Sequence, residues 1–342
     1  MISIKDIARI ANVSHSTVSR ALRNSRRVSA ETRARIQRIA DEQGYRVSAV
    51  ARGLVTRRTG TIGVVVTTVA DPFVGEVVAG IEEVALAQGY SLFLANCHAD
   101  PEREVRVVRT FQERRVDGIL VNASRVGTLY RPMLAQMKVP IVLMNNQYPG
   151  SEFAHSVRID SLSGARKAVN YLIELGHRRI AYLGNRYGLQ ADSERFVGYR
   201  QSLDEADLGF EPELVVHEEG TPQGGMCGMA RLLSLSHPPT AVFCYKDLMA
   251  VGAIRAAWER GTAVPADVSV VGFDDLFLSS YIVPSLTTIQ QPKHHMGCLA
   301  ARMLLELLSG GNPESQIVVE GQLIVRQSTA PPRVPALQYG VA

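Results

Sequence analysis

Residues 4–24 read IKDIARIANVSHSTVSRALRN, and residues 28–45 read VSAETRARIQRIADEQGY. Apolar residues recur in both stretches at the spacing of an α-helix, and they divide into three short runs. A tight break at Asn12 and Val13 separates the first run from the second. Two short helices joined by such a turn form a helix-turn-helix, whose second helix can enter the major groove of DNA.

Capping residues indicate where these three predicted helices begin and end. Ser3 and Asp6 form a capping-box pattern for a first helix that ends near residue 11. Ser14 is expected to cap the second helix. Ser29 begins a third helix that ends at Gly44, because glycine readily adopts the left-handed conformation that follows a helix. The three helices are predicted to enclose a small apolar core.

Charge is distributed unevenly along the chain. Residues 1–58 contain 13 Lys and Arg against 4 Asp and Glu, a net charge of +9, whereas residues 59–342 contain 24 against 29, a net charge of −5. A compact positive segment attached to a mildly acidic body is typical of proteins that bind nucleic acid. Taken alone, the positive charge is equally compatible with a solvated basic surface.

The exposed face of the second predicted helix supplies candidate DNA contacts. Arg20 is the strongest candidate for reading a base, since its guanidinium can donate two hydrogen bonds to O6 and N7 of guanine. His15 and Ser16 lie where other base edges can be reached. Contacts to phosphate oxygens are expected from Thr17, Ser19, Asn24 and the backbone near Ser3 and Ser14. For Thr17 and Ser19 the alternative is an ordinary solvated position on a helix.

These motifs resemble the N-terminal DNA-binding headpiece of the LacI/GalR family. The family pattern combines an Ala-x-x-Ala-x-Val-Ser turn, a Thr-Val-Ser-Arg recognition helix and a Gly-Tyr ending. It is present at Ala8, Ala11, Val13, Ser14, Thr17, Val18, Ser19, Arg20, Gly44 and Tyr45. The resemblance implies that residues 1–45 bind DNA, with His15 and Ser16 at operator-reading positions that vary between family members.

Residues 46–59 are predicted to be a hinge helix and linker. The stretch RVSAVARGLVTRRTG follows Tyr45 and is too short to be a stable isolated helix. In the LacI/GalR family this segment folds when paired with its dimer mate on the operator, where a leucine inserts into the minor groove. The resemblance assigns that role to Leu54, with Ala51 beside it. As a departure, Val47 and Ser48 stand where the family commonly has Pro-Asn.

The remainder of the chain predicts two parallel-sheet lobes. From Thr61 onward, short β-branched runs such as IGVVV, SLFLA and VSVVG alternate with helical patterns, which is typical of parallel sheets covered on both faces. The predicted fold class is α/β, with an all-α helix-turn-helix headpiece followed by two doubly wound lobes. This part also resembles the family, whose core shares the type I periplasmic-binding-protein fold. The predicted core covers 60–330, with an N-lobe of about 60–160 plus 291–321, a C-lobe of about 161–290 plus 322–330, and a flexible tail at 331–342.

The cleft between the lobes is the expected ligand site, since ligands bind at the carboxyl ends of parallel strands. Asp274 and Arg195 are the main candidates, because a carboxylate accepts hydrogen bonds from hydroxyls and a guanidinium donates to ligand oxygens. The resemblance places both at effector-binding positions of the family, and a structural ion pair is the alternative. Asp71 and Phe73 would add a polar contact and an apolar wall. Asp160 could bond either the ligand or the crossing strand.

Two departures from the family bear on the ligand. Thr221 stands near the position where an aromatic residue often stacks on the effector, and Lys246 stands before Asp247 where several sugar-responsive members carry asparagine. A half-buried ammonium prefers an anionic partner, so a sugar acid or sugar phosphate is expected beside a neutral sugar. An exposed Lys246 at the surface is the alternative.

Other classes of protein find less support. No run of 18 apolar residues and no secretory signal occur, and four cysteines without CxxC spacing favour a reducing compartment, so we expect a cytoplasmic protein. No GxSxG, HExxH or GxxxxGKS motif supports an enzyme such as one that modifies sugars. A stand-alone solute-binding protein would lack the headpiece, and an architectural DNA protein would not need the cleft. No cofactor, catalytic residue or metal is assigned, although His294 and Cys298, four residues apart, could meet Cys97 and His98.

These observations together predict a homodimeric transcriptional repressor. Two chains would present two headpieces to a pseudo-palindromic operator in double-stranded DNA. A small ligand in the cleft would change the hinge spacing and with it the affinity for DNA. Whether the ligand induces or corepresses stays open at this point. Residues 331–342 contain no leucine heptad, so a tetramer held by a C-terminal coiled coil is not supported.

Overall fold

A computed structural model of the chain describes residues 2–22, 24–45, 58–126, 139–146 and 155–333. The chain divides into two compact units, Met1–Gly60 and Thr61–Ala342. The predicted hinge residues Ala51 and Leu54 lie outside the described residues. None of the helices in the described ranges combines the length and apolar character that a membrane crossing requires.

The first unit is a small helical domain. Within its described residues the helices are α1 (Ile4–Ile10), α2 (His15–Leu22) and α3 (Ala30–Glu42). They enclose an apolar core that contains Ile7, Ala8, Ala11, Val18, Ala21, Val28 and Ile36. The predicted helix-turn-helix is therefore confirmed, with a core of its own.

The predicted capping interactions define the ends of these helices. Ser3 and Asp6 complete a capping box at α1, and the backbone N–H of Thr17 donates to Ser14 Oγ at 3.1 Å at the start of α2. Ser29 caps α3. Gly44 follows α3 with a φ of 62°, the left-handed conformation predicted for it.

The second unit contains two sheets. The strands of the first are β1 (Thr61–Val66), β2 (Ser91–Asn96), β3 (Gly118–Asn122), β4 (Ile141–Met144), β5 (Ser156–Ile159) and β11 (Gln316–Val319). The strands of the second are β6 (Ile180–Asn185), β7 (Val215–Glu218), β8 (Ala241–Cys244), β9 (Ser269–Asp274), β10 (Thr287–Gln290) and β12 (Gln322–Ile324).

Strand order gives each sheet one switch point. The order is β11-β5-β4-β3-β1-β2 in the first sheet and β12-β10-β9-β8-β6-β7 in the second. Among the described strands, β10 and β12 form an antiparallel pair, and the other pairs are parallel. The direction of winding reverses between β1 and β3 and again between β6 and β8. Doubly wound sheets bind ligands in the crevice at such points.

Helices cover both sheets and confirm the predicted doubly wound α/β fold. They are α4 (Pro72–Ala87), α5 (Pro101–Glu113), α6 (Ser161–Glu174), α7 (Gln190–Glu205), α8 (Pro222–Leu233), α9 (Asp247–Glu259) and α10 (Lys293–Leu308). Short 3-10 turns lie at Pro212–Leu214 and Phe277–Ser280. The helix α10 packs on α4 beside the first sheet, and α6 packs on α7 beside the second.

The chain passes between the two sheets three times within the described residues. It leaves the first sheet after β5 and enters α6, and it returns after β10 to form α10. It then completes the first sheet with β11 before crossing again to β12. Each lobe is consequently assembled from separate stretches of sequence.

Candidate functional sites

The helix α2 has one apolar and one polar face. Val18 and Ala21 are buried, whereas His15 and Arg20 are exposed. Within the described ranges, no hydrogen bond or ion pair engages the Arg20 guanidinium. By contrast, Arg35 donates to the backbone carbonyl of Ala11 at 3.0 Å and is committed to the fold. Arg20 is therefore available to an external partner.

The predicted phosphate-binding residues are partly engaged with one another. Ser14 Oγ lies 2.8 Å from both Ser16 Oγ and Thr17 Oγ1, which orients these hydroxyls at the start of α2. Asn24 is exposed, with a φ of 56°, and its Oδ1 accepts a hydrogen bond from Gln37 Nε2 at 2.9 Å. Ser3 is exposed and Ser19 is half-buried. The hydroxyls of Ser14, Ser16 and Thr17 are therefore gathered at the N-terminal end of α2, whereas Asn24 follows its C-terminal end.

In the second unit, a cavity of about 390 Å³ lies between the two sheets. Its lining includes Asn122 at the end of β3, Asn185 at the end of β6 and Asp274 at the end of β9. Thr67 and Lys246 follow β1 and β8 and also line it. The cavity thus lies at the carboxyl ends of the strands that flank both switch points, as expected for a ligand site.

Arg195 of α7 forms part of the cavity floor and is only 3% exposed. Its guanidinium lies 3.6 Å from the ring centroid of Phe273, and its Nη1 donates to the backbone carbonyl of Tyr245. Within the described residues it forms no ion pair, so the alternative of a structural pair with Asp274 is not realised. Among the described residues, none accepts a hydrogen bond from this buried Nε.

Asp274 is almost completely buried beside Arg195. Its Oδ1 accepts a hydrogen bond from Gln291 Nε2 at 2.6 Å, and its backbone has an unusual φ of 133°. Burial raises the pKa of the Asp274 carboxyl to about 7, although Arg195 opposes the shift, and Asp247 adds to it. Lys293 Nζ donates to the carbonyl oxygens of Asp274 at 2.8 Å and of Asp275 at 2.7 Å. The carboxyl is therefore held in place, and burial favours its protonated form to a higher pH than is usual for aspartate.

Several buried polar atoms in the cavity have no hydrogen-bond partner in the part of the chain that the structure describes. Besides Arg195 Nε, these are Asn122 Oδ1, Ser161 Oγ and Gln291 Oε1. Buried polar groups are nearly always hydrogen-bonded in native proteins, so such a concentration in one cavity indicates a bound polar molecule or water. The set contains both donors and acceptors, which matches the hydroxyl groups of a polyol.

Lys246 and Asp71 meet across the cavity. Lys246 Nζ lies 3.3 Å from Asp71 Oδ2, and both side chains are less than one-fifth exposed. The alternative of a surface-exposed Lys246 is therefore wrong. The anionic partner of the ammonium is the carboxylate of Asp71, which also caps α4 by accepting from the backbone N–H of Phe73 at 3.0 Å. Phe73 lines the cavity as predicted.

Three other residues named in the sequence analysis have local structural roles. Asp160 caps α6 by accepting from the backbone N–H of Ser163 at 2.9 Å and is not part of the cavity lining. A contact of Asp160 with the ligand stays a prediction. Thr221 lines the cavity but caps α8. Asp247 is fully buried and accepts from Leu276 N at 2.8 Å and Ser279 Oγ at 2.7 Å.

Some lining residues were not predicted from the sequence. Asn122 and Asn185 could have been found, because each is the polar residue that ends a predicted strand. Arg125 and Tyr187 could not, since no spacing in the sequence shows that the guanidinium lies 5.5 Å from the ring centroid. The remaining unpredicted members include Arg158, Ser161, Glu194 and Gln291.

Comparisons with known proteins match nearly the whole chain. The family model "Bacterial regulatory proteins, lacI family" matches residues 3–48, and "Periplasmic binding protein-like domain" matches residues 169–329. The HTH-type transcriptional repressor PurR of Serratia proteamaculans is 36% identical over 332 residues, which cover 96% of this chain and 97% of the relative. The ribose operon repressor of Haemophilus influenzae is 36% identical over 329 residues, which cover 96% and 98%. Among solved structures, the lac repressor dimer bound to operator and the anti-inducer ONPF matches with a TM-score of 0.88 and 28% identity, over 96% of this chain and 99% of that chain.

Proposed function

Because this chain belongs to the LacI family of bacterial regulatory proteins, we propose that α2 reads its operator and that the cavity between the sheets binds its effector. The protein is a DNA-binding transcriptional repressor under the control of a small molecule, and it is not an enzyme. Its action on operator DNA assigns it to the cytoplasm.

The proposed operator contacts are of two kinds, contacts to base edges and contacts to phosphate groups. Arg20, His15 and Ser16 read base edges, and Arg20 carries the assignment because its guanidinium is exposed and without a partner in the described residues. Phosphate contacts are assigned to Ser3, Ser14, Thr17, Ser19 and Asn24. The segment 46–59 serves as the hinge, with Leu54 and Ala51 at the minor groove.

Arg20→Ala tests the assignment of α2. On a duplex selected from a random library, we expect the variant to lose about 1 to 3 kcal/mol of specific binding, with little change on random DNA. Arg38→Ala removes the same charge from an exposed position on α3 and is the matched control. Equal losses for both variants in a mobility-shift titration would show that Arg20 contributes only charge.

We propose that the effector is a polyol that carries an anionic group, namely a sugar acid or a sugar phosphate. Three of the cavity carboxylates are paired, Asp71 with Lys246 at 3.3 Å, Glu194 with Arg158 at 3.6 Å and Glu219 with Arg186. Two cavity arginines, Arg125 and Arg195, have no carboxylate partner within the described residues. Burial raises the pKa of Asp274 to about 7, so its negative charge only partly balances the positive charges of these two arginines. The lining holds four cationic side chains and four carboxylates, so its positive charge exceeds its negative charge only to the extent that Asp274 is protonated.

Calorimetry with matched ligands tests this effector class. We expect ribose 5-phosphate to bind more tightly than ribose, or gluconate more tightly than glucose, because the charged group meets Arg125. Arg125→Gln should reduce this preference and leave binding of the neutral sugar unchanged. Tighter binding of both neutral sugars, with no effect of Arg125→Gln, would contradict an anionic effector.

We propose further that two chains act together on a pseudo-palindromic operator. The matched lac repressor structure is a dimer on its operator, and symmetric half-sites fit two identical headpieces. Both lobes of the second unit expose large apolar side chains that a second copy would cover. They include Leu86, Phe93 and Leu94 beside the first sheet and Trp258, Tyr281 and Val283 beside the second.

A further inference from the structure

The helices α4 and α10 touch at two glycines. A Cβ atom on Gly80 would lie 2.0 Å from the carbonyl oxygen of His294, and a Cβ atom on Gly297 would lie 2.2 Å from the carbonyl oxygen of Val77. Only glycine permits such an approach of two backbones. The side chains that flank this contact therefore project from two helices whose backbones are closely packed against each other.

Three groups with affinity for metal ions converge beside this contact. His294 and Cys298 lie one turn apart on α10, and Glu83 projects from α4. Cys298 Sγ lies 3.7 Å from His294 Nδ1, and His294 Nε2 lies 3.2 Å from Glu83 Oε2. One donor atom from each side chain falls within 4.8 Å of the other two.

We propose that Glu83, His294 and Cys298 bind a zinc ion, with water as the fourth ligand. Thiolate, imidazole and carboxylate are the ligands that zinc takes in proteins, and bond lengths of about 2.0–2.3 Å place tetrahedral ligands roughly 3.3–3.6 Å apart. Only one imidazole nitrogen can bind the ion, so one of the two separations from His294 applies, and donors that lie within 4.8 Å of one another must close by roughly 1 Å to reach this geometry. The side chains of Glu83 and His294 are 64% and 50% exposed, so both can rotate onto the ion without disturbing the core.

Coordination of zinc removes a proton from Cys298 and leaves all oxidation states unchanged. The thiol donates to the backbone carbonyl of Gly80 at 3.4 Å, and burial together with Glu83 raises its pKa. On binding, the thiol proton passes to solvent, the thiolate forms the bond to zinc, and no electrons are transferred. Cys97 and His98, the partners considered from sequence, are not members of this group.

Zinc at this position would connect two helices whose N-terminal ends reach the effector cavity. Asp71, Phe73 and Val74 at the start of α4 line the cavity. Lys293, the first residue of α10, bonds the backbone of Asp274 and lies 3.4 Å from Glu76 of α4. The ion would therefore stiffen the frame on which part of the effector site is built.

Cobalt titration of the reduced full-length protein tests the site. We expect a sulfur-to-cobalt charge-transfer band that saturates near one equivalent and disappears when zinc is added. Cys298→Ser should abolish the band, and Glu83→Gln should weaken cobalt binding at least tenfold. Glu83→Gln alters an exposed side chain, so it tests the site even if Cys298→Ser does not fold.

Two control variants fix the assignment. Cys227→Ser removes an exposed thiol on α8, and His295→Gln removes the exposed imidazole next to His294. Both should keep the band and the affinity of the unaltered protein. The proposal is overturned if the protein shows no band at equimolar cobalt, if the band survives Cys298→Ser, or if Glu83→Gln binds cobalt as tightly as the unaltered protein.

Discussion

Asp274 combines three unusual conditions in one residue. It is nearly excluded from water, its φ of 133° is rare for a residue other than glycine, and Lys293 holds its carbonyl oxygen. Backbone strain of this kind costs of the order of 1 to 3 kcal/mol and persists where the surroundings over-determine the conformation. The strained backbone and the buried carboxyl both lie at the cavity in which we propose that the effector binds.

The raised pKa of Asp274 predicts a stability that falls with pH. Between about pH 4 and 7 the folded protein retains a proton on this carboxyl, whereas the unfolded chain has lost it. Raising the pH through that range therefore favours unfolding, by up to about 1.4 kcal/mol per pH unit from this group. Asp274→Asn should lack this slope. Urea unfolding of both proteins at several pH values, without ligand, gives the difference directly.

The same measurement separates Asp274 from other buried carboxyls. Burial also raises the pKa of Asp192 and Asp247, so both proteins keep a common slope of the same sign from these groups. Parallel curves for the two proteins would mean that Asp274 is ionised throughout the range.

Individual site residues could be predicted where the sequence shows the end of a strand or the start of a helix. Asp274, Asp71, Phe73 and Lys246 line the cavity because each lies at the end of a strand or at the start of the next helix, whereas Arg195 lies in the second turn of α7 and was placed by the family resemblance. The sequence did not show which hydrogen-bond partners their polar atoms have. Asp71 and Asp160 both precede helices, yet only Asp71 combines its cap with a place in the cavity, because this depends on how the two lobes are set against each other.

The packing of α4 on α10 predicts opposite effects for two glycines on one helix. Gly80→Ala would place a methyl group 2.0 Å from the carbonyl oxygen of His294, so we expect the helices to separate and stability to fall by several kcal/mol. Gly75→Ala meets nothing within 4 Å and removes a flexible residue from a helix, which should stabilise the protein by about 0.5 to 1 kcal/mol. Urea unfolding of the two variants distinguishes them. Similar effects from both would contradict the close contact.

Elements with a continuous apolar run were predictable, and short half-exposed ones were not. The runs that form β1, β3, β6 and β9 are almost wholly buried, and each stands out in the sequence. Four strands of three or four residues have no such run, since their side chains alternate between buried and exposed or are mostly exposed. These are β5, β7, β11 and β12. The pairing of β5 with β11 joins stretches that lie far apart in the sequence, so only the assembled sheet defines it.

At the scale of the whole molecule, exposed apolar side chains predict a dimer. Trp258, Tyr281 and Val283 are 67%, 81% and 91% exposed, and Trp258 and Val283 line a surface cavity of about 500 Å³. A contiguous apolar surface of this kind usually marks an interaction site. Tyr281→Asp should therefore shift the protein towards monomers, because burying the new carboxylate at the interface is costly.

Light scattering coupled to size exclusion measures this shift. Operator affinity should fall together with the dimer, since two headpieces bind two half-sites. Val197→Asp alters an exposed apolar residue on α7 and serves as the control, which should remain dimeric. A Tyr281→Asp protein that elutes as a dimer with unchanged operator affinity would exclude this surface from the interface.

Because the chain passes between its two sheets three times, a truncated polypeptide lacks parts of both sheets. A ribosome that halts before residue 293 yields a polypeptide in which the first sheet lacks both the helix that covers it and the strand β11 at its edge. The second sheet lacks β12 in the same product. The three N-terminal helices keep their own apolar core, and segments made first can fold first. Premature stop codons late in the gene are therefore expected to leave a fragment whose helix-turn-helix is folded but whose ligand cavity is incomplete and whose operator affinity is low, because the lobes that would hold two copies together are unfinished.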